Sequence, residues 1–148
     1  MKKYLMLFVF SLFLMNCNSD DSETISTTIE TTLIGKGNLH GGSSQGVTQQ
    51  NHLINDEADW NAILPIFDTV SHSFTETNID FSMFTVIVAI DQVRPNGGHE
   101  LDIAINSNSE NVIVTVTDIS PQGQATTVIT QPYHIVKIPK NTLPVIFQ

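Results

Sequence analysis

A chain of 148 residues with 41% hydrophobic residues is long enough for one domain with its own core, and its single cysteine leaves no disulfide framework. Six Lys+Arg stand against 15 Asp+Glu, a formal net charge of −9. With no cluster of cations to neutralise phosphates, this balance excludes a nucleic-acid partner.

The chain opens with Met1-Lys2-Lys3 and continues into the apolar run Tyr4 to Met15. A membrane-spanning helix needs roughly 20 apolar residues, so this run is too short to span. A basic tip before a short apolar stretch is the pattern of a secretory signal peptide. Leu14-Met15-Asn16-Cys17 resembles a lipobox, with Asn16 where Gly, Ala or Ser is usual. Residues 1–16 are therefore expected to be a lipoprotein leader, and Cys17 the lipidated N-terminus. Each buried acyl methylene contributes about 0.8 kcal/mol, so two or more chains anchor firmly where one does not. Residues 17–24 read as a flexible acidic tether. Their Asn18-Ser19-Asp20-Asp21-Ser22-Glu23 stretch resembles the tag of surface-exposed outer-membrane lipoproteins, which implies cell-surface display. Loss of Lys2 and Lys3 takes the net charge from −9 to −11 and leaves Lys36, Arg94, Lys137 and Lys140 as the mature cations.

Residues 25–148 are expected to form one domain. The β-branched stretch 25–34 predicts a first strand, followed by a Gly/Ser loop over 35–46. Val47 to Ile54 predicts a second, more polar strand. Asn55 to Leu64 predicts a helix capped by Asn55 or Asp56, with acids in its first turn and Trp60, Ile63 and Leu64 on one face. Pro65 ends or turns it, and 68–80 reads as loop. Phe81 to Asp91 holds the apolar run Val86 to Ile90, which predicts a central strand covered on both faces.

Arg94-Pro95-Asn96-Gly97-Gly98 predicts a turn, since Pro presets φ and Asn-Gly-Gly tolerates positive φ. In His99 to Ile105 the alternation puts Leu101, Ile103 and Ile105 inward and Glu100 and Asp102 outward. Asn106 to Ser109 turns the chain, Val112, Val114 and Val116 face in on a further strand, and Ser120 to Gly123 is another turn. Residues 125–138 read as a long β segment broken near Pro132, and 145–147 as a closing strand. The sum is α+β: an N-terminal strand pair, one short helix and an antiparallel meander, with a β-sandwich carrying one helix as the alternative.

These segments resemble the PrcB-type protease-complex-subunit family over residues 46–147. The features are the Ser44 to Gly46 loop before a strand, the helix bearing Trp60, and Asp80-Phe81-Ser82 leading into the apolar strand. The Arg94 to Gly98 turn and the segment Gln131 to Lys140, with its Pro132-Tyr133 and Val136-Lys137-x-Pro139-Lys140 order, are the most specific. After the Gly pair the family carries an aromatic, where this chain has His99. The resemblance implies a lipoprotein that associates with and stabilises an exported protease, without being an enzyme.

The residues themselves offer little reactive chemistry. His40, His52, His72, His99 and His134 include no i, i+4 pair, no thiol is free to join them, and no calcium-loop pattern occurs, so no metal or other cofactor is expected. Ser43, Ser44 and His40 sit in a Gly-rich loop without a nucleophile elbow, which argues against a hydrolase triad. The candidate site is instead a partner-binding turn, Arg94, Pro95, Asn96, Gly97, Gly98 and His99, together with Tyr133. Arg94 reads equally as a structural cation paired with Asp91 or Asp102, the Asn-Gly-Gly run as a hairpin requirement, and Tyr133 as a half-buried aromatic. Beside the protease-stabilising reading stand a protease inhibitor of chagasin-like type, whose wedge loops such a turn resembles, and a surface domain binding a small ligand or glycan.

Overall fold

The computed structural model describes residues 26–39, 47–67 and 74–148. They form an α+β domain of two stacked four-stranded sheets and one short helix. The strands are β1 (Thr27–Thr28), β2 (Thr32–Asn38), β3 (Gln50–Ile54), β4 (Phe84–Ile90), β5 (Glu100–Ser107), β6 (Val112–Ile119), β7 (Pro132–Pro139) and β8 (Val145–Phe147), with α1 (Glu57–Ile63) between β3 and β4. One sheet runs β1-β5-β6-β8 and the other β2-β7-β4-β3. Every pairing is antiparallel except that of β6 with β8.

The strand pair β4–β7 is the middle layer. Val86, Val88 and Ile90 of β4 and Tyr133 and Ile135 of β7 point to the helix side, where they meet Ile34, Ile54, Trp60, Ile63 and Phe67. Ile87 and Ala89 of β4 and Val136 and Ile138 of β7 point the other way, onto Leu101, Ile103, Ile105, Val112 and Val114 of the second sheet. The continuous apolar run of β4 thus reflects burial on both faces, as the run itself predicts. β5 is covered on one face only, and its burial alternates residue by residue from Glu100 to Ile105.

α1 has seven residues, too few for stability by itself. Asp56 caps it by accepting a hydrogen bond from the Asp59 N–H at 2.9 Å, and Glu57 and Asp59 place negative charge in the first turn. Trp60 anchors it: the side chain is 1% exposed and its indole N–H donates to the Thr77 carbonyl at 2.8 Å. Pro65 lies in a 3₁₀ turn, Leu64–Ile66, that follows directly.

Some local expectations shift. The first strand divides into β1 and β2, and β2 runs on through Gly35 and Gly37 to Asn38, into sequence that reads as loop. β2 and β3 do not pair but sit at opposite edges of one sheet. The segment before Pro132 is a connection with one isolated bridge, Arg94 to Thr130. Pro132 is the first residue of β7, where a missing N–H costs a central strand nothing.

His134 of β7 is 6% exposed. Its Nδ1 lies 3.0 Å from the Leu101 carbonyl, which can only accept, so Nδ1 carries the proton. Burial pushes this imidazole below its ordinary pKa and Lys36 adds to the effect, against weaker opposing pulls from the Leu101 carbonyl, Asp102 and Glu100. The unfolded chain therefore takes up a proton more readily than the folded one as pH falls below about 6.5.

Two measurements follow. Trp60→Ala lowers the unfolding free energy by about 3–5 kcal/mol in urea titrations, whereas Met83→Ser at an exposed site changes it by less than about 0.5 kcal/mol. Stability declines from about pH 7 to pH 5, and His134→Gln makes that decline shallower whatever its effect at pH 7; the remaining slope includes His52, also lowered by burial.

Candidate functional site

The Arg94 to His99 segment is not a hairpin turn. β4 and β5, which flank it, belong to different sheets, so residues 91–99 carry the chain across the sandwich. A crossing of this kind needs an external brace, and the β6–β7 connection supplies it. Arg94 and Thr130 exchange both backbone hydrogen bonds, at 2.7 and 3.1 Å. The Gly97 N–H donates to the Thr126 carbonyl at 2.9 Å, and the Thr130 hydroxyl donates to the Asn96 carbonyl at 2.8 Å.

A Cβ on either glycine of the turn would crowd the facing loop. A Cβ on Gly97 would lie 2.3 Å from the Thr126 hydroxyl oxygen. Gly98 has φ +86°, a left-handed conformation, and a Cβ there would lie 2.9 Å from the Pro121 ring. The Asn-Gly-Gly run is therefore read by packing against a second loop as well as by local turn geometry.

Side chains complete the brace. Arg94 binds Asp91 through Nε at 2.6 Å and Asp118 through Nη2 at 2.9 Å. The hydrogen bond from Arg94 to Asp91 holds the guanidinium protonated more firmly than usual, against the opposing effect of burial. Asp91 is 2% exposed; besides Arg94 it accepts the Gln92 N–H at 2.7 Å. His99 lies 3.3 Å from both Asp118 and Asn96. Fully buried Gln131 donates to the Asp91 and Val47 carbonyls at 3.0 and 2.9 Å, which ties the base of both loops to the sheet.

Of the two partners that the sequence offers Arg94, Asp91 is one; the second is Asp118 of β6, not Asp102, which lies 3.9 Å from His134. Tyr133 is corrected as a contact residue. It is fully buried, with its ring 4.8 Å from Phe67, so it has no surface to offer. Two residues missed in the sequence, Val128 and Ile129, are 60% and 64% exposed on the bracing loop. Their signal was present: a Val-Ile pair in a segment that did not become strand. Asp118, Thr126 and Thr130 carried no local signal, because each reaches the turn from a distant part of the chain.

A cleft of about 290 Å³ beside the turn is lined by Asn51, Asp91, Arg94, Asp118 and Gln148, among others. Its charged groups are paired with one another, Arg94 with Asp91 and Asp118, which makes it a rigid clamp. Among the described residues no three His, Cys, Asp or Glu side chains are placed to hold a metal ion. No helix among them is long and apolar enough to cross a membrane. Cys17, His40, Ser43, Ser44 and His72 lie outside the described residues, as do the leader and the whole of the tether.

No family model, curated protein or solved structure matches this chain.

Arg94→Ala leaves Asp91 buried without its counter-ion. Urea unfolding should show a loss of about 3–5 kcal/mol, only partly recovered in Arg94→Lys, because one ammonium cannot reproduce a guanidinium fork between two carboxylates.

Proposed function

We propose that this chain is a non-enzymatic binding module of the PrcB type, held at the outer membrane by lipid on Cys17, that associates with and stabilises an exported protease. The observation that carries the reading is the double loop. Arg94 to His99 and the segment from Ser120 to Gln131 are locked together by backbone hydrogen bonds, the Thr130 hydroxyl on the Asn96 carbonyl and two close glycine contacts, while Arg94 pins the first loop to Asp91 and to Asp118 of β6; the second loop displays Val128 and Ile129 to solvent. A loop that is already ordered loses little conformational entropy on docking, and an exposed apolar pair on it provides area to bury. The mature charge of −11 favours an extracytoplasmic head that stays soluble on its anchor.

The same double loop also suits an inhibitor that wedges into a peptidase cleft. One pair of experiments separates the two. Affinity capture of the tagged, lipidated protein from gently solubilised envelope should recover a peptidase, whose half-life at elevated temperature shortens when the protein is removed. Recovery of no peptidase counts against the reading. Stoichiometric inhibition of the captured enzyme, abolished by Gly97→Asp, would favour inhibition over stabilisation. For the anchor, Cys17→Ser should move the protein from the membrane to the soluble fraction and remove the acyl mass; an unchanged fraction and mass would refute lipidation.

A further inference from the structure

The two sheets have four edges, and three of them are blunted. β1 is two residues long and β8 three, too short to template another strand. β2 is interrupted by a register shift between Leu33 and Gly35, and Thr75 covers it there, donating its backbone N–H to the Ile34 carbonyl at 2.9 Å and its hydroxyl to the Leu33 carbonyl at 2.7 Å. β3 differs. All five of its residues pair with β4 in unbroken register, it holds no Pro, Gly or Lys, and among the described residues nothing pairs with its outer side. Alternate residues of such a strand point their N–H and C=O groups away from the sheet.

A groove of about 370 Å³ runs along the same edge, between β3 and α1. Ile54, Ala62, Ile63 and Ile66 give it an apolar lining, and Asp59 is the charged residue among those that line it. His52 also lines it, and its Nε2 is buried and makes no hydrogen bond. An edge that is unpaired among the described residues and an apolar slot thus lie side by side.

We propose that β3 is a strand-addition site for an extended segment of a partner protein that carries a basic residue. The segment pairs with the outer side of β3, places an apolar side chain in the groove, and sets a Lys or Arg two residues away against Asp59. Charge decides between this occupant and a second copy of the chain. Antiparallel pairing of two β3 strands about a two-fold axis would keep both helices on one face and bring Asp56, Glu57 and Asp59 of each copy together, in a chain of net charge −9 before processing. A basic segment meets the same acids with attraction. The site is remote from the double loop in sequence and does not depend on the partner being a protease.

The probe is the six-residue peptide Val-Thr-Lys-Thr-Val-Thr, whose Val and Lys side chains share one face when extended. Amide hydrogen exchange and chemical shifts are read by NMR on the mature protein without its acyl chains. At millimolar peptide, alternate β3 amides should exchange about tenfold more slowly, and their shifts should move with those of Ala62 and Asp59. Ala62→Arg fills the groove from an exposed helix position with little change in helix propensity, and should weaken binding at least about tenfold; Asp59→Asn should weaken it less, and a peptide with Glu in place of Lys should bind more weakly than the probe. Gly97→Asp should leave peptide binding unchanged, so failure of the double-loop reading and failure of this one are separable. Unchanged β3 amides, equal binding of the Glu peptide, or a concentration-dependent dimer that protects β3 without peptide would each overturn the proposal.

Discussion

The domain is organised around one strand pair that must be buried on both faces. β4 and β7 present apolar side chains up and down along their paired length, from Val86 to Ile90 and from Tyr133 to Ile138. Neither face can be left to water without exposing a row of Ile and Val side chains, each worth about 1.5–3 kcal/mol when buried. The helix with its 3₁₀ turn covers one side and the β1-β5-β6-β8 sheet covers the other. The two polar exceptions on β7 show how strict the requirement is. Lys137 escapes by lying over the Phe84 ring at 4.4 Å and pairing with Glu76, and His134 is held neutral by burial with its Nδ1 proton on a carbonyl.

Three layers impose a crossing problem. The chain must leave β4 in the middle layer and enter β5 in the outer one, and the β6–β7 connection must make the reverse journey. The two connections solve it together by pairing with each other at Arg94 and Thr130. Arg94 then binds one carboxylate from each level, Asp91 at the end of β4 and Asp118 on β6, so a single guanidinium ties the two sheets at one end of the sandwich. In so acidic a chain this is economical use of a scarce cation, and it explains why the turn is rigid where a Gly-Gly sequence alone would be loose.

That rigidity has a functional side. The exposed Val128 and Ile129 are carried on a loop fixed by the same contacts that close the fold. The opposite logic applies at β3, whose edge is regular and, among the described residues, unpaired, while the other three edges are short, interrupted or covered. The surface is thus uneven: an exposed apolar pair on a braced loop at one place, and, at another, a strand edge unpaired among the described residues beside a mainly apolar groove that carries Asp59.

Much of the fold was legible in the residues. The unbroken apolar run of β4, the clean alternation of β5, the Asp56 cap with Trp60 and Ile63 behind it, and the turn chemistry at Pro95 to Gly98 are local patterns, and a local pattern reports which side of an element is apolar and where the chain bends. It does not report what the apolar side meets. The separation of β2 from β3, the assignment of β4 and β5 to different sheets, the choice of Asp118 over Asp102 for Arg94, and the complete burial of Tyr133 against Phe67 were decided only in three dimensions. Each depends on a contact between segments far apart in the chain. The energy that selects such a contact comes from filling a shared core and satisfying buried charge, quantities that no window of neighbouring residues contains.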